Sequence, residues 1–234
     1  SSPTLEETLT PGGNINPDIE PEKGWNFEIG LRGDHFRQKL SFEFVLYTMR
    51  IRDLLVARRL ALDQYIGINA GKTVHNGFEA YLRYDLLSYL SIYLNYTNTN
   101  YRFDEFVEDQ RDFSGNQLTG SPPHTVNGGL DLQLDNGLYG HLTYRFVDAL
   151  PITDDNTVFS DAYQLMRLKV GYNRAVGKWR VDAHLGIDNL WDEKYSSMFQ
   201  INAAGFGGSA PRYYYPGLPR NYFGGIKLTY ELAP

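Results

Sequence analysis

Cysteine is absent from the 234 residues, so no disulfide framework holds this chain together. That suits an exported bacterial protein and equally a cytosolic one. A basic excess is also missing. The net charge is −6, whereas a chain built to wrap nucleic acid is normally basic, so that class is disfavoured. No apolar run reaches the roughly 18 residues of a membrane-crossing helix, which excludes helical spans. No secretory signal pattern opens at Ser1. The mean hydropathy is negative. On that measure alone the protein is soluble, but strands of a membrane barrel turn only alternate residues to lipid and escape such averages.

What is plentiful is tyrosine (18), phenylalanine (13) and glycine (23), the composition of an all-β chain with polar loops. Period-2 alternation recurs along the sequence. Trp25, Phe27, Ile29 and Leu31 alternate with Asn26, Glu28, Gly30 and Arg32. The same rhythm appears at Leu40–Leu46, Phe78–Tyr84, Ile92–Tyr96, Val126–Leu134, Leu138–Phe146, Met166–Tyr172, Trp179–Ile187 and Tyr222–Tyr230. The pattern predicts roughly nine strands of about 9–11 residues, the length that crosses a bilayer when tilted.

The connections alternate in length. Gly33–Gln38, Asp85–Tyr89, Asp135–Gly137 and Arg174–Lys178 are short, and the third contains an Asn-Gly hairpin pair. Arg52–Lys72, Asn100–Pro123, Ala149–Asp161 and Asp192–Arg220 are long. Short turns on one rim and long loops on the other is the layout of outer-membrane barrels. Aromatics gather beside both rims: Tyr84, Tyr89, Tyr139, Tyr172 and Trp179 by the short turns, and Trp25, Tyr96, Tyr144, Phe146, Trp191 and Tyr222 by the long loops. They read as two interfacial girdles. A soluble sandwich would also alternate. Its solvent face would suit Glu28, Arg32, Glu43, Glu79, Arg83 and Asp131 as well as a wide polar lumen would, so the sorting of loop lengths decides for the barrel.

Particular segments resemble a family. Glu20-Pro21-Glu22 with Asn26–Arg32 resembles the "PE…EIGLR" segment of TonB-dependent outer-membrane receptors. Asn76–Ala80 is similar to its "NxGxEA" strand opening, and Pro122–Thr125 to its "PxHT" strand entry. Gly186–Tyr195 is close to "NLFDKxY", and Pro219–Ile226 resembles the final strand. The segments fall in family order between Ser2 and Tyr230. The resemblance implies an all-β, antiparallel transmembrane barrel segment: residues 1–234 as the C-terminal portion of a barrel of about 22 strands, its N-terminal plug domain absent. The family usually ends on an aromatic residue, whereas this chain ends on Pro234.

An odd strand count agrees with a partial barrel, because single-chain barrels normally have an even number. An open sheet in lipid would leave two unpaired edges. The implied partners are outer-membrane lipid and lipopolysaccharide, the plug and remaining strands, the energy-coupling protein TonB, and a scarce nutrient, with ferric siderophore the default. The implied location is the bacterial outer membrane.

Gly71-Lys72-Thr73 is no phosphate loop, since Ile66 stands where the earlier glycine is needed. Gly205, Gly207 and Ala210 mimic a dinucleotide fingerprint without a βαβ setting. The histidines, His35, His75, His124, His141 and His184, lack metal-ligand spacing. His141 and His184 are expected to face the lumen as polar wall residues. Haem receptors of the family often carry a histidine between the segments resembling Pro3-Thr4-Leu5 and Asn16-Pro17; none stands there. Asp104-Glu105, Glu108-Asp109 and Asp154-Asp155 read as solvated loop charges. No positioned carboxylate pair or Ser/His/Asp arrangement points to an enzyme, and no resident cofactor is expected.

The recognition candidates are Arg212, Tyr213, Tyr214, Tyr215 and Arg220. Tyrosine offers rigid area with a hydroxyl, and arginine attracts anionic cargo in bidentate fashion. The competing reading is a structural aromatic belt joined to a terminal-strand motif. Two rival functions remain open: a self-contained small barrel with a structural or adhesive role, and a soluble β-sandwich binding module.

Overall fold

The structure, a computed structural model, describes residues 9–10, 12–37, 39–61, 64–69, 71–108, 110–205 and 207–232, with backbone only at 56–61 and 64–65. Gln38, Asp109, the Pro3-Thr4-Leu5 segment, Ser1, Ser2 and Pro234 lie outside the described residues. The elements are β1 (Lys23–His35), β2 (Leu40–Arg52), β3 (Leu55–Ala61), β4 (Gln64–Asn69), β5 (Lys72–Leu87), β6 (Leu90–Glu105), β7 (Val107–Glu108), β8 (Arg111–Asp112), β9 (His124–Gln133), β10 (Leu138–Val147), β11 (Tyr163–Val176), β12 (Trp179–Asp188), β13 (Ser196–Phe199), β14 (Tyr214–Pro216) and β15 (Asn221–Tyr230). One nine-stranded antiparallel sheet runs β1-β2-β5-β6-β9-β10-β11-β12-β15; β3-β4, β7-β8 and β13-β14 are small hairpins in the long loops.

Each alternating segment of the sequence falls on one of the nine sheet strands, only Leu134 lying just past the end of β9, because period 2 is the repeat of the β pleat. Register then assembles the two faces. Leu31, Phe44, Ala80, Tyr96, Val126 and Phe146 are successive cross-strand partners, as are Leu142, Leu168, Ile187 and Tyr222. Arg32, Glu43, Tyr81, Asn95, Asn127 and Arg145 form a row of the other face. No layer of the described residues covers the apolar face: Leu31 is 64% exposed, Leu185 70% and Ile226 76%. Apolar surface on that scale needs an apolar solvent, and here the solvent is lipid. No helix among the described residues is long and apolar enough to cross a membrane.

The polar face is packed by aromatic rings laid over glycines of the neighbouring strand. Tyr47 covers Gly77, Tyr93 covers Gly129, Tyr139 covers Gly171 and Phe223 covers Gly186, each ring lying where a Cβ would stand. This corrects the girdle assignment of Tyr139. Its pairing with Gln133 and Gly171 puts it on the polar face, where its hydroxyl donates to Asp182 Oδ1 at 3.0 Å. Leu138 takes the outward position instead.

Strands β5 and β6 are 16 residues each, longer than the 9–11 expected, and continue past the apolar band into the loop region. The strands likewise absorb most of the short connections, leaving turns such as 88–89, 134–137 and 177–178. The Arg52–Lys72 connection contains the β3-β4 hairpin, which the alternation did not reveal. In the turn after β9, Gly137 sits at φ 97°, and Asn136 Oδ1 accepts from Leu138 N at 3.0 Å. Strands β1 and β15 are the sheet's free edges. Unpaired backbone groups in hydrocarbon cost several kcal/mol each, so these edges require strands beyond the nine.

Candidate functional site

The buried side chains lie at the long-loop end. Phe103, Phe106 and Phe113 form a cluster with Leu54, Ile68 and Leu118 packed on it. Ile152 is fully buried in the 148–162 loop. Three long loops are tied together there. Asn116 Nδ2 donates to the Asp154 carbonyl at 2.8 Å, and Gln117 N donates to Asn156 Oδ1 at 2.7 Å. Thr119 Oγ1 donates to Asp154 Oδ1 at 3.0 Å, Asn202 Nδ2 to Asp154 Oδ2 at 2.8 Å, and Asp154 N to Asn202 Oδ1 at 3.0 Å. Asp154 is therefore a buried clasp between loops 106–123, 148–162 and 189–220, not the solvated charge expected of it. Sequence gave no sign of this, because its partners are 35 and 48 residues away.

Asp155, its neighbour, has a local role. The Thr153 hydroxyl, opposed in part by burial and helped by the Thr157 hydroxyl and amide, holds its carboxyl below the usual range. In the 106–123 loop, the Ser114 side chain and backbone similarly lower Asp112. Among the described residues no group of three or more His, Asp or Glu could hold a metal ion.

Below this cap the polar face forms a cleft of about 520 Å³, lined among others by Tyr93, Asn127, Arg145, Arg167, Asp188 and Tyr195. Arg167 Nε pairs with Asp188 at 2.8 Å, and its guanidinium lies 4.7 Å from the Phe223 ring centre. Arg145 makes no ion pair with any described residue, so its charge faces the cleft. Nearby on β2, β5 and β6, Tyr47 and Tyr101 share a 2.6 Å hydroxyl contact, and the His75 ring stacks on Tyr101 at 4.4 Å. Thr73 and His75 are buried beside them, 2.9 Å apart. Neither the cleft nor this cluster was singled out from sequence. The one available signal was tyrosine at a polar-parity position, as at Tyr47.

Tyr213, Tyr214 and Tyr215 are brought together in the β13-β14 hairpin. Tyr214 meets Phe199 and Tyr213 edge-on at 5.9 and 6.0 Å. The foot of the hairpin is at the cleft: Gly217 N donates to Tyr195 O at 2.8 Å, and Tyr195 and Leu218 both line the cleft. Arg212 is exposed beside the tyrosines. Arg220 stands apart at the entry to β15, its backbone N–H donating to Asp192 Oδ1 at 2.8 Å. His141 and His184 lie on the polar face, on adjacent cross-strand rows, and His141 Nδ1 contacts Asp131 at 2.7 Å.

A sheet with a lipid-facing apolar side, a polar inner side and interlocked loops at one rim is part of the wall of an outer-membrane β-barrel. The family model for the TonB-dependent receptor-like β-barrel matches residues 1–190, and the chain belongs to that family. The ferric-pyoverdine M114 receptor PbuA of Pseudomonas sp. (strain M114) is 25% identical over 228 residues, covering 91% of this chain and 25% of the relative. Among solved structures, the ferric-catecholate import receptor Fiu from K12 E. coli (closed form) matches with TM-score 0.69 and 18% identity over 95% of this chain and 31% of that one. The ferric yersiniabactin uptake receptor FyuA from Yersinia pestis matches with TM-score 0.65 and 20% identity over 92% and 32%. The chain thus spans a quarter to a third of these proteins' length. The family is one of transport receptors in the outer membrane of Gram-negative bacteria, and neither the self-contained small barrel nor the soluble sandwich is favoured.

Proposed function

We propose that this chain forms the C-terminal part of the wall, and several cargo-facing outer loops, of a TonB-dependent receptor that imports a ferric siderophore. Plug, remaining strands and TonB complete the machine, and no bond chemistry, resident cofactor or nucleic acid takes part. The observation that carries the reading is the cleft beneath the clasped loops. Arg145, which makes no ion pair with any described residue, suits an anionic chelate, and the tyrosine and amide walls suit flat aromatic or hydroxylated cargo. The relatives' names, a ferric-pyoverdine receptor and receptors for ferric yersiniabactin and ferric catecholates, favour iron chelates as the class.

In this reading Tyr213, Tyr214 and Tyr215 hold the cargo from above with Arg212, and Arg145 receives it below. Arg220 acts by fixing the β15 entry. The test is fluorescence titration of the full receptor with a panel of ferric siderophores. Tight binding of one chelate, weakened about tenfold by Arg145→Gln or by joint Tyr214→Ala and Tyr215→Ala, is expected. Unchanged affinity in both variants would remove these residues from the site.

A further inference from the structure

The turn that follows β12 opens the 189–220 loop, which carries the β13-β14 tyrosine hairpin. Asn189 is 6% exposed, and both protons and the oxygen of its amide are used within that loop. Nδ2 donates to the Glu193 carbonyl at 2.8 Å and to the Leu218 carbonyl at 3.1 Å, and Oδ1 accepts from Glu193 N at 2.8 Å. One side chain thus joins the start of the loop to its end, because Leu218 lies 29 residues along the chain. Asp192 repeats the connection. Its Oδ1 accepts from Arg220 N at 2.8 Å, and its own N–H donates to the Asn189 carbonyl at 2.9 Å. Both residues have left-handed backbone, at φ 52° and 56°, which asparagine and aspartate tolerate better than most side chains. Between them, Leu190 N donates to Met166 O at 2.8 Å and ties the turn to β11.

Above this turn the two legs of the loop are packed as well as bonded. The Tyr195 ring lies where a Cβ on Gly217 would stand, and the Tyr163 ring is 5.0 Å from it. Beyond them β13 and β14 pair, Phe199 opposite Tyr214 and Met198 opposite Tyr215. The far end is held by Asn202, whose N–H donates to Ile152 O at 2.9 Å and whose Nδ2 donates to Asp154. The hairpin is therefore fixed at both ends, yet Tyr214 and Tyr215 remain 51% and 47% exposed. Firmly held aromatic surface that stays open suits recognition. A loop of this length without its staple would have to be ordered when a ligand arrives, which weakens affinity.

We propose that Asn189 and Asp192 are positioning residues for cargo recognition. They staple the foot of the 189–220 loop, so that Tyr213, Tyr214 and Tyr215 stand over the cleft before the cargo arrives. Neither residue touches the cargo: Asn189 borders the cleft, but its amide is consumed within the loop. The inference rests on the reading in which the tyrosine hairpin receives a ferric chelate. It divides the work between contact, made by the tyrosines, and order, imposed by the staple. Removing the staple must then have no effect on affinity once the tyrosines are gone. A turn that served only to end β12 would act on barrel stability and leave affinity alone.

The experiment uses the full receptor and the single variants Asn189→Gly and Asp192→Gly. Glycine accepts left-handed backbone, so each variant deletes side-chain bonds without straining the turn. Three readouts are compared: ferric-siderophore titration, amide exchange of residues 195–200 and 213–217, and urea unfolding of the barrel. Asn189→Gly should weaken binding about tenfold and Asp192→Gly about threefold, with exchange about tenfold faster and the unfolding midpoint unchanged. In the joint Tyr214→Ala and Tyr215→Ala background neither variant should weaken binding further. If Asn189→Gly fails to show heat-modifiable migration, Asp192→Gly, at an exposed position, decides. Faster exchange with unchanged affinity, or a loss that persists undiminished without the tyrosines, overturns the positioning role. Unchanged exchange overturns the staple itself. A wild-type receptor that binds no ferric siderophore overturns the cargo reading instead, and exchange then judges the staple alone.

Discussion

Replacing Gly171 by alanine tests how the wall is packed on its inner side. The Tyr139 ring lies where the new methyl would stand, while its hydroxyl donates to Asp182 Oδ1 at 3.0 Å. The ring must leave, and three losses follow. A hydrogen bond to a charged acceptor is worth about 1.5–3 kcal/mol. Holding a side chain off its rotamer costs about 0.5–1.5 kcal/mol, and overpacking a tight site about 1–3 kcal/mol. These overlap, since a ring that swings away escapes strain but gives up the bond, and the polar face is partly solvated. The net expectation is about 2–3 kcal/mol. The assay is urea unfolding of the full receptor in lipid vesicles, followed by heat-modifiable migration, in a double-mutant cycle with Tyr139→Ala. In the Tyr139→Ala background, Gly171→Ala should be close to neutral, so the coupling should be about 2 kcal/mol. A Gly171→Ala effect below about 0.5 kcal/mol, or one that persists undiminished without the tyrosine ring, would refute the close-packing argument.

Other expectations concern loops and turns. Asp154→Ala removes the acceptor shared by Thr119 and Asn202; amide exchange in loops 106–123 and 189–220 should speed up roughly 10- to 100-fold, as loss of about 2 kcal/mol of local stability requires. Asp155 has its pKa lowered from 3.8. Its contribution is therefore complete above that value and is lost as pH falls through the lower folded-state value. Pepsin cleavage of the 148–162 loop should accordingly be flat as pH falls toward 4 and rise below it, and Asp155→Asn should abolish the low-pH step. Gly137→Ala forces a side chain to φ 97° in the β9-β10 turn and should destabilise the barrel by about 1–2 kcal/mol in the same unfolding assay.

Much of the wall was legible because it is governed by one local rule. A strand crossing between lipid and lumen must alternate, so Trp25–Leu31 or Val126–Leu134 declares both its conformation and its two faces in a few residues. The rule weakens where that division ends. The extra turns of pleat in β5 and β6, and the β3-β4 hairpin, stand above the membrane, where neither face must be apolar. Tyr139 escaped for a different reason: an aromatic at a rim satisfies the girdle pattern on either face, and the register with Gly171 decided which.

The candidate site divides along the same line. Tyr213, Tyr214 and Tyr215 are adjacent in sequence, so their grouping was readable. Arg220, five residues further on, is set apart by the β13-β14 hairpin closing at Gly217. The cleft joins residues of β6, β9, β10, β11 and β12 with the loop that follows, and the Asp154 clasp joins three loops. Contacts of that range depend on strand order and on loops meeting over the lumen, which no local pattern encodes.

The sequence by itself determined that this chain is a run of membrane-crossing strands with short turns on one rim and long loops on the other. Pleat periodicity and turn chemistry are short-range physics. Only the tertiary structure decided which glycines receive which rings and that Asp154 is buried rather than solvated. Each of those depends on cross-strand register, which sets neighbours far apart in the chain about 5 Å apart in space.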